Sequence, residues 1–127
     1  ETIGLETVTE QLNVFDAIPY QDQMNELVKT AKSDLTRDKK ELDDMLKLYK
    51  TEDIEALYTF TQQSENVLTS KFDDELLNSR NQNWIARINK IANEKSTFFG
   101  VGAAHLGGEK GVINLLRKQG FTVEPVH

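Results

Sequence analysis

The distribution of glycine divides this chain into two unequal parts. Six of its seven glycines fall between Phe99 and Phe121, whereas none occurs between Leu5 and Phe99, where Pro19 is the only proline. Glycine and proline are the residues that helices tolerate least, and both are common in turns. The sequence therefore predicts a helical middle part, about 20–94, followed by a shorter end that is rich in turns.

Apolar spacing and capping residues support helices in the first part. Apolar residues recur at intervals of three and four, which places them on one face of a helix. Two such runs are Met24, Leu27, Val28, Ala31 and Leu35, and Leu42, Met45, Leu46 and Tyr49. Thr7 and Glu10 have the spacing of a capping box, so a short helix is predicted to begin after Thr7 and to end near Pro19. Thr51 is predicted to be the N-cap of a later helix.

Three short segments have the composition of β-strands, namely 2–6, 96–101 and 121–123. A helix predicted over 109–119, with Gly120 as its C-terminal cap, gives the end of the chain, about 96–125, the order of a βαβ unit. The strands of such a unit run parallel, with the helix on one face. We therefore predict one α/β domain over 1–127, with a small, mostly parallel sheet of about three strands. A large all-helical insertion would separate the first strand from the second.

Charge and composition exclude several classes of protein. The chain has 21 Asp and Glu residues against 15 Lys and Arg, a net charge of −6, and its basic residues are dispersed among acidic ones. Nucleic acid is therefore not an expected partner. No apolar run is long enough to cross a membrane. Because the chain has no cysteine, it has no disulfide, thiolate metal site or cysteine nucleophile.

Two residues with suitable chemistry follow the first two predicted strands. Glu6 ends the first strand, and His105 lies in the glycine-rich turn after the second. Because ligands bind outside the carboxyl ends of the strands in open α/β sheets, this pair could bind a metal ion or share acid–base work. Either residue alone also has an ordinary structural interpretation. A catalytic zinc ion needs three protein ligands, and the terminal His127 is not expected to be one.

The glycine-rich turn also allows a different interpretation. Gly100, Gly102 and His105 partly match the dinucleotide fingerprint G-x-G-x-x-G, and Glu124 would follow at the distance of a ribose-binding acid. His105 replaces the third glycine, however, so nucleotide binding ranks below a Glu–His site. A simpler alternative is that amides in this turn hold an anionic group without any cofactor.

Three residues near the end of the predicted helical middle part, Arg80, Asn81 and Trp84, are further candidates. Arg80 could fork onto a carboxylate, either that of Glu6 or that of a substrate, and Asn81 could orient a bound group. From the residues alone, a surface arginine beside a helix-compatible asparagine is the favoured interpretation. Trp84 shares its helix with several isoleucines and is expected in the core.

Taken together, these residues match a known pattern. The matching parts are 4–7, Glu10 and Gln11, Arg80 and Asn81 with Trp84, 99–108, and then Gly111, Leu115, Gly120 and Val123. In order and spacing, nearly the whole chain resembles the C-terminal half of the TraB/GumN family. That family includes the Tiki metalloproteases and is related to the erythromycin esterase-like and ChaN-like proteins.

The resemblance implies a metal-dependent hydrolase, with peptide bonds as the substrate in the Tiki branch. The family's proposed active site has two G-x-x-H motifs, a Glu and an Arg-Asn pair, and residues 102–105 match the second motif. By this resemblance His105 would be a ligand of a divalent metal ion, and Glu6 a second ligand or the general base. Arg80 would stabilise developing charge, and Asn81 would belong to the same site.

The first G-x-x-H motif of the family has no counterpart here. We therefore expect a fragment that binds metal weakly and hydrolyses little by itself. Its sheet would be completed by a preceding N-terminal segment or by a second copy. The alternative is a non-catalytic relative whose helical middle part is an interaction or regulatory surface. The resemblance also implies an exported bacterial protein, periplasmic or at the cell surface.

Overall fold

The computed structural model describes residues 1–64 and 66–126, and in these residues the chain is helical. Seven α-helices occur in the described part, with one π-helix and one 3₁₀ turn. They are α1 (Val8–Asp16), α2 (Tyr20–Lys32), α3 (Thr36–Tyr49), α4 (Ile54–Gln62), α5 (Val67–Lys71), the π-helix (Asp74–Asn78), α6 (Ser79–Glu94), the 3₁₀ turn (Ala103–His105) and α7 (Val112–Lys118). His127, which was not expected to be a metal ligand, lies outside the described residues.

The predicted α/β fold is wrong, because no strand or sheet forms among the described residues. The three predicted strand segments lack regular structure, and no backbone hydrogen bond joins one to another. A short strand is stable only when it pairs and buries one face. Phe98, in the second segment, is 93% exposed, so no sheet covers it. The sheet-completing partner expected above therefore has no sheet to complete.

Helix α6, rather than a sheet, supports the predicted strand segments. Its buried residues Trp84, Ile85 and Ile88 form a core cluster with Val112 of α7. The first two predicted strand segments pack against this cluster through Leu5, Phe99 and Val101. Two distant parts of the chain are thus brought to one helix surface, which is where the candidate site lies.

The ends of the helices agree in part with the sequence analysis. The capping box is confirmed, because the Thr7 hydroxyl accepts the amide hydrogen of Glu10 and the Glu10 carboxylate accepts that of Thr7. Pro19 separates α1 from α2 as predicted. The prediction for Thr51 is wrong, since Asp53 is the N-cap of α4 and its side chain accepts from the amide of Ala56.

The C-terminal helix is shorter than the predicted 109–119, because α7 begins at Val112. Gly120 follows its end with φ +89°, and the amides of Gly120 and Phe121 donate to carbonyls of the last turn. This left-handed position after a helix favours glycine, as predicted. No helix in the described ranges is long and apolar enough to cross a bilayer.

Candidate functional site

Residues from three distant parts of the chain line one open cleft of about 760 Å³. Glu6 comes from the segment before α1, Arg80 and Trp84 from α6, and His105 from the 3₁₀ turn. Asn81 lies behind His105 and is 1% exposed. Glu6, Arg80 and His105, three of the four residues that the sequence analysis selected, thus line the cleft together with Trp84, and the fourth, Asn81, contacts His105 from behind.

The π-helix before α6 holds the side chain of Arg80, which lines this cleft. Its wider turn pairs the amide of Ser79 with the carbonyl of Asp74, five residues earlier. The carbonyl of Leu76 accepts a hydrogen bond from Arg80 Nη1 at 2.8 Å, which anchors the guanidinium group. Arg80 and Trp84 are four residues apart, so both reach the same side of α6.

The Glu6 carboxylate is held on both oxygen atoms. Arg80 donates from Nη2 to Oε1 at 2.6 Å and from Nε to Oε2 at 3.1 Å, and Trp84 Nε1 donates to Oε2 at 3.1 Å. The Arg80 hydrogen bonds are the main reason that the pKa of Glu6 lies below its usual value. Arg80 thus forks onto Glu6, one of the two carboxylates considered above, and Glu6 is an ionised partner of two donors.

Asn81 determines the tautomer of His105. Its Nδ2 donates to the carbonyls of His105 at 3.3 Å and of Lys110 at 3.0 Å, which identifies the other amide atom as the oxygen. That oxygen lies 2.6 Å from His105 Nδ1. Because an amide oxygen only accepts, Nδ1 must carry the proton. Nε2 is then the unprotonated nitrogen, and no described residue donates to it.

The surroundings also keep His105 neutral. Burial and, secondarily, the positive charge of Arg80 lower the pKa of His105 from 6.5 to about 4, with Glu6 opposing them. The Trp84 ring lies against the imidazole, 4.5 Å between ring centroids, and the Arg80 guanidinium lies 5.1 Å from the Trp84 ring. At neutral pH His105 therefore presents a lone pair on Nε2, which can accept a proton or bind a metal ion.

The donor set fits a catalytic metal ion only in part. His105 Nε2 is a suitable ligand, but the two oxygens of Glu6 already accept from Arg80 and Trp84. No group of three or more His, Cys, Asp or Glu side chains that could hold a metal occurs in residues 1–64 and 66–126. Glu6 Oε1 accepts only one of these hydrogen bonds and keeps a lone pair, so the described arrangement offers at most two metal ligands, whereas a catalytic zinc ion takes three from the protein.

The glycine-rich turn already holds an anion from the chain itself. The amide of Gly108 donates to both carboxylate oxygens of Glu55, each at 3.2 Å. Gly108 has φ +81° and lies so close to Tyr58 that a Cβ would be 2.6 Å from the ring. The strand and helix that a dinucleotide fingerprint needs on either side are not found in the described segments. Sequence reasoning anticipated an anion here but missed Glu55, because its position at the start of α4 carries no local signal.

Trp84 is the second residue whose role was missed. The prediction that Trp84 lies in the core is confirmed, because the residue is only 5% exposed. Its indole N–H, however, binds Glu6, and its ring separates Arg80 from His105. The signal available in the sequence was the spacing of four from Arg80, which places both side chains on one side of the helix.

The comparison with known families identifies the class of this protein. The model of the TraB/PrgY/gumN family matches residues 1–125, so the chain belongs to that family. The chain matches no curated protein and no solved structure.

Proposed function

We propose that this cleft is a hydrolytic site that acts on peptide-like amide bonds, with His105 as its central residue. The observation that carries the proposal is the hydrogen bond from His105 Nδ1 to Asn81, which leaves Nε2 unprotonated at the cleft. At neutral pH this imidazole is unprotonated and held in one tautomer, so Nε2 can accept a proton, although its pKa of about 4 makes it a weaker base than an ordinary histidine. Membership of the TraB/PrgY/gumN family and its resemblance to hydrolases support the same reaction class.

In this proposal His105 Nε2 takes a proton from water as the water oxygen bonds to the carbonyl carbon. The resulting tetrahedral species collapses when the C–N bond breaks, and the imidazolium returns its proton to the leaving nitrogen. Negative charge develops on the former carbonyl oxygen. Arg80 uses three of its five N–H groups on Glu6 and the Leu76 carbonyl, so two remain to stabilise that charge.

Asn81 and Glu6 are positioning residues in this scheme. Asn81 orients the imidazole and holds the turn that carries it, as the third member of a catalytic triad does. Glu6 holds Arg80 and Trp84 against the cleft. The role of metal ligand or base that the resemblance implies for Glu6 would fall to Oε1, which accepts a single hydrogen bond, from Arg80.

Metal dependence is a separate part of the proposal. A divalent metal ion would find at most two ligands in the described residues, His105 Nε2 and Glu6 Oε1, and would take its other ligands from elsewhere. A metal test can distinguish this role from metal-independent base catalysis. Export to the periplasm or cell surface of a bacterium is likewise proposed from the resemblance alone, and fractionation of cells that produce the full-length protein tests it.

A second candidate function is a non-catalytic interaction or regulatory module. The observation that favours it is that Arg80 and Trp84 donate three hydrogen bonds to the Glu6 carboxylate, so that among the candidate residues only His105 Nε2 offers a nitrogen or oxygen lone pair with no partner on its atom. The two functions differ in what they require of His105. Only the hydrolytic function needs an unprotonated Nε2 for turnover.

The decisive experiment measures hydrolysis of a fluorogenic peptide library by this chain and by the full-length protein. Each is assayed with Zn²⁺, with Mn²⁺ and with EDTA. His105→Ala should lower the rate roughly 10²–10⁴-fold, the usual contribution of a general base. His127→Ala, at the chain's only other histidine, is the matched control and should retain activity. If no form of the protein cleaves the library, or if both variants cleave it equally well, the hydrolytic proposal fails.

Metal content is measured in parallel by elemental analysis of the same proteins. If His105 is a ligand, His105→Ala loses bound metal and His127→Ala keeps it. Equal metal in all three proteins, or none in any, would contradict metal binding by His105. Turnover that persists in EDTA would support base catalysis without metal.

A further inference from the structure

The backbone of residues 103–110, which we call the His105 turn, is held by side chains from three different helices. Asn81 of α6 donates to the carbonyl of His105. Asn114 of α7 donates to the carbonyl of Gly108 at 2.8 Å, and Glu55 of α4 accepts the amide hydrogen of Gly108. Asn81 already has a place in the proposed reaction, whereas the contact from α4 has none.

The contact between Glu55 and Gly108 satisfies a buried backbone amide. Gly108 is buried, and its N–H has no other acceptor within residues 1–64 and 66–126. Both carboxylate oxygens of Glu55 lie 3.2 Å from this nitrogen. A hydrogen bond to a carboxylate is stronger than one between neutral groups. Glu55 therefore fixes the orientation of the peptide that joins Gly107 to Gly108.

The two glycines let α4 approach the His105 turn closely. A Cβ on Gly107 would lie 2.6 Å from the carbonyl oxygen of Ile54, and a Cβ on Gly108 would lie 2.6 Å from the ring of Tyr58. A residue larger than glycine would force the two elements apart at either position. The first turn of α4, which carries Glu55, thus packs directly on the turn that carries the proposed base.

The conformation at Gly108 matters to His105 because Asn81 binds the backbone on both sides of it. The single Nδ2 of Asn81 donates to the carbonyls of His105 at 3.3 Å and of Lys110 at 3.0 Å. Both carbonyls reach one nitrogen only while the stretch between them keeps its shape, and Gly108 lies in that stretch with φ +81°. A shift at Gly108 would therefore disturb the same amide whose oxygen accepts from His105 Nδ1.

We propose that Glu55 is a positioning residue of the hydrolytic site, which holds the His105 turn in the shape that keeps His105 against Asn81. Its kinetic consequence rests on the proposed function, whereas its effect on the imidazole does not. Glu55 does not line the cleft formed by the described residues, so it acts through Gly108 and not on substrate. Its loss should slow the reaction of bound substrate and leave substrate binding nearly unchanged.

Two substitutions at Glu55 separate the hydrogen bond from the charge. Glu55→Ala removes the acceptor, whereas Glu55→Gln keeps a carbonyl oxygen that can accept the same amide hydrogen. In the form of the protein that cleaves the peptide library, Glu55→Ala should lower kcat about tenfold or more and leave KM within about threefold. Glu55→Gln should keep most of kcat.

Glu41→Ala is the matched control for these variants. The Glu41 carboxylate of α3 also accepts a hydrogen bond from another part of the chain, the hydroxyl of Ser64, and Glu41 is not among the residues that line the cleft. This variant should leave kcat within about twofold of the wild type. Circular dichroism at the assay temperature checks that every variant is folded.

Long-range ¹H–¹⁵N correlation spectra at pH 7 test the geometry without any turnover. The wild type, Glu55→Gln and Glu41→Ala should show His105 with its proton on Nδ1. In Glu55→Ala the shifts of the two ring nitrogens should move toward each other, because the imidazole then exchanges between both tautomers.

An unchanged His105 tautomer in Glu55→Ala, or an unchanged kcat of this variant in an active protein, would overturn the inference. Equal effects of Glu55→Ala and Glu41→Ala would also overturn it, and so would a Glu55→Gln variant as impaired as Glu55→Ala. If the wild type cleaves nothing, the proposed function fails, and the spectra alone decide whether Glu55 positions His105.

Discussion

Replacement of Asn81 by leucine tests how much the hydrogen bonds behind His105 contribute to stability. Leucine has a similar volume but makes none of the three hydrogen bonds of the Asn81 amide. The substitution leaves the Nδ1–H group and the carbonyl of His105, together with the carbonyl of Lys110, without partners. Each unpaired buried group costs about 1–3 kcal/mol, and the added apolar burial returns part of this cost. We expect a net loss of about 3 kcal/mol in the free energy of unfolding.

Urea unfolding followed by circular dichroism measures this loss. With an m value of about 1–3 kcal/mol per molar, typical of small domains, the midpoint should fall by roughly 1–3 M. Asn93→Leu is the matched control, because Asn93 lies on the same helix, is exposed and bonds only to Asn89. It should change stability by less than about 0.5 kcal/mol. Similar midpoints for the two variants would refute the account of a hydrogen-bonded Asn81.

Three further predictions follow from the same contacts. The His105 pKa of about 4, against 6.5 when exposed, means that the unfolded chain binds more protons between these values. The free energy of unfolding should therefore be highest above pH 6.5 and should fall by about 2 kcal/mol, after solvent screening, as the pH is lowered toward 4. Urea unfolding across this range measures the decline, and a His105→Gln chain should lack it. Arg80→Ala removes the cation that pairs with the largely buried Glu6 carboxylate, and it should lower the free energy of unfolding by about 2 kcal/mol in thermal unfolding. Arg87→Ala breaks the half-exposed pair with Glu10 and should lower it clearly less. Equal losses from the two variants would contradict the argument from burial. Gly108→Ala combines a left-handed backbone with a clash against Tyr58, whereas Gly120→Ala has the same backbone strain but open space around it. Gly108→Ala should therefore lower the melting temperature more than Gly120→Ala. The reverse order would contradict this reasoning.

Features that depend on neighbouring residues were predictable from the sequence. The capping box of Thr7 and Glu10 needs only two residues three positions apart, and it is present. The helix break at Pro19 and the left-handed glycine after α7 follow from backbone sterics alone. The placement of Glu6, Arg80 and His105 in one cleft agrees with their selection from the sequence, although for a different structural reason.

The residues meet because the segments that carry Glu6 and His105 pack on helix α6, and not because two strands pair in a sheet. The segments 2–6 and 96–101 have strand composition, but strands exist only through hydrogen bonds between them, which are non-local. Here the same apolar residues, Leu5, Phe99 and Val101, pack against α6 instead. A period-two pattern shows that a segment is extended and half-buried, and it does not show what covers it.

Two other features required the structure for the same physical reason. The tautomer of His105 depends on which atom of the Asn81 amide faces it, and that is decided by carbonyls in a different loop. Helix α2 exposes Met24 and Leu27 and buries Glu26, and its Asp22 pairs with Lys71, which is 49 residues away. The amphipathic pattern of α2 was correct, but a pattern identifies two faces without showing which one is buried.

The central claim is that His105 is neutral at pH 7, with its proton on Nδ1 and a free lone pair on Nε2. Long-range ¹H–¹⁵N correlation spectra of ¹⁵N-labelled protein report the protonation of both ring nitrogens, and comparison with His105→Gln assigns the signals. We predict that Nδ1 shows the shift of a protonated nitrogen and Nε2 that of an unprotonated one, unchanged down to about pH 5. A proton on Nε2, or an imidazolium at neutral pH, would contradict the account.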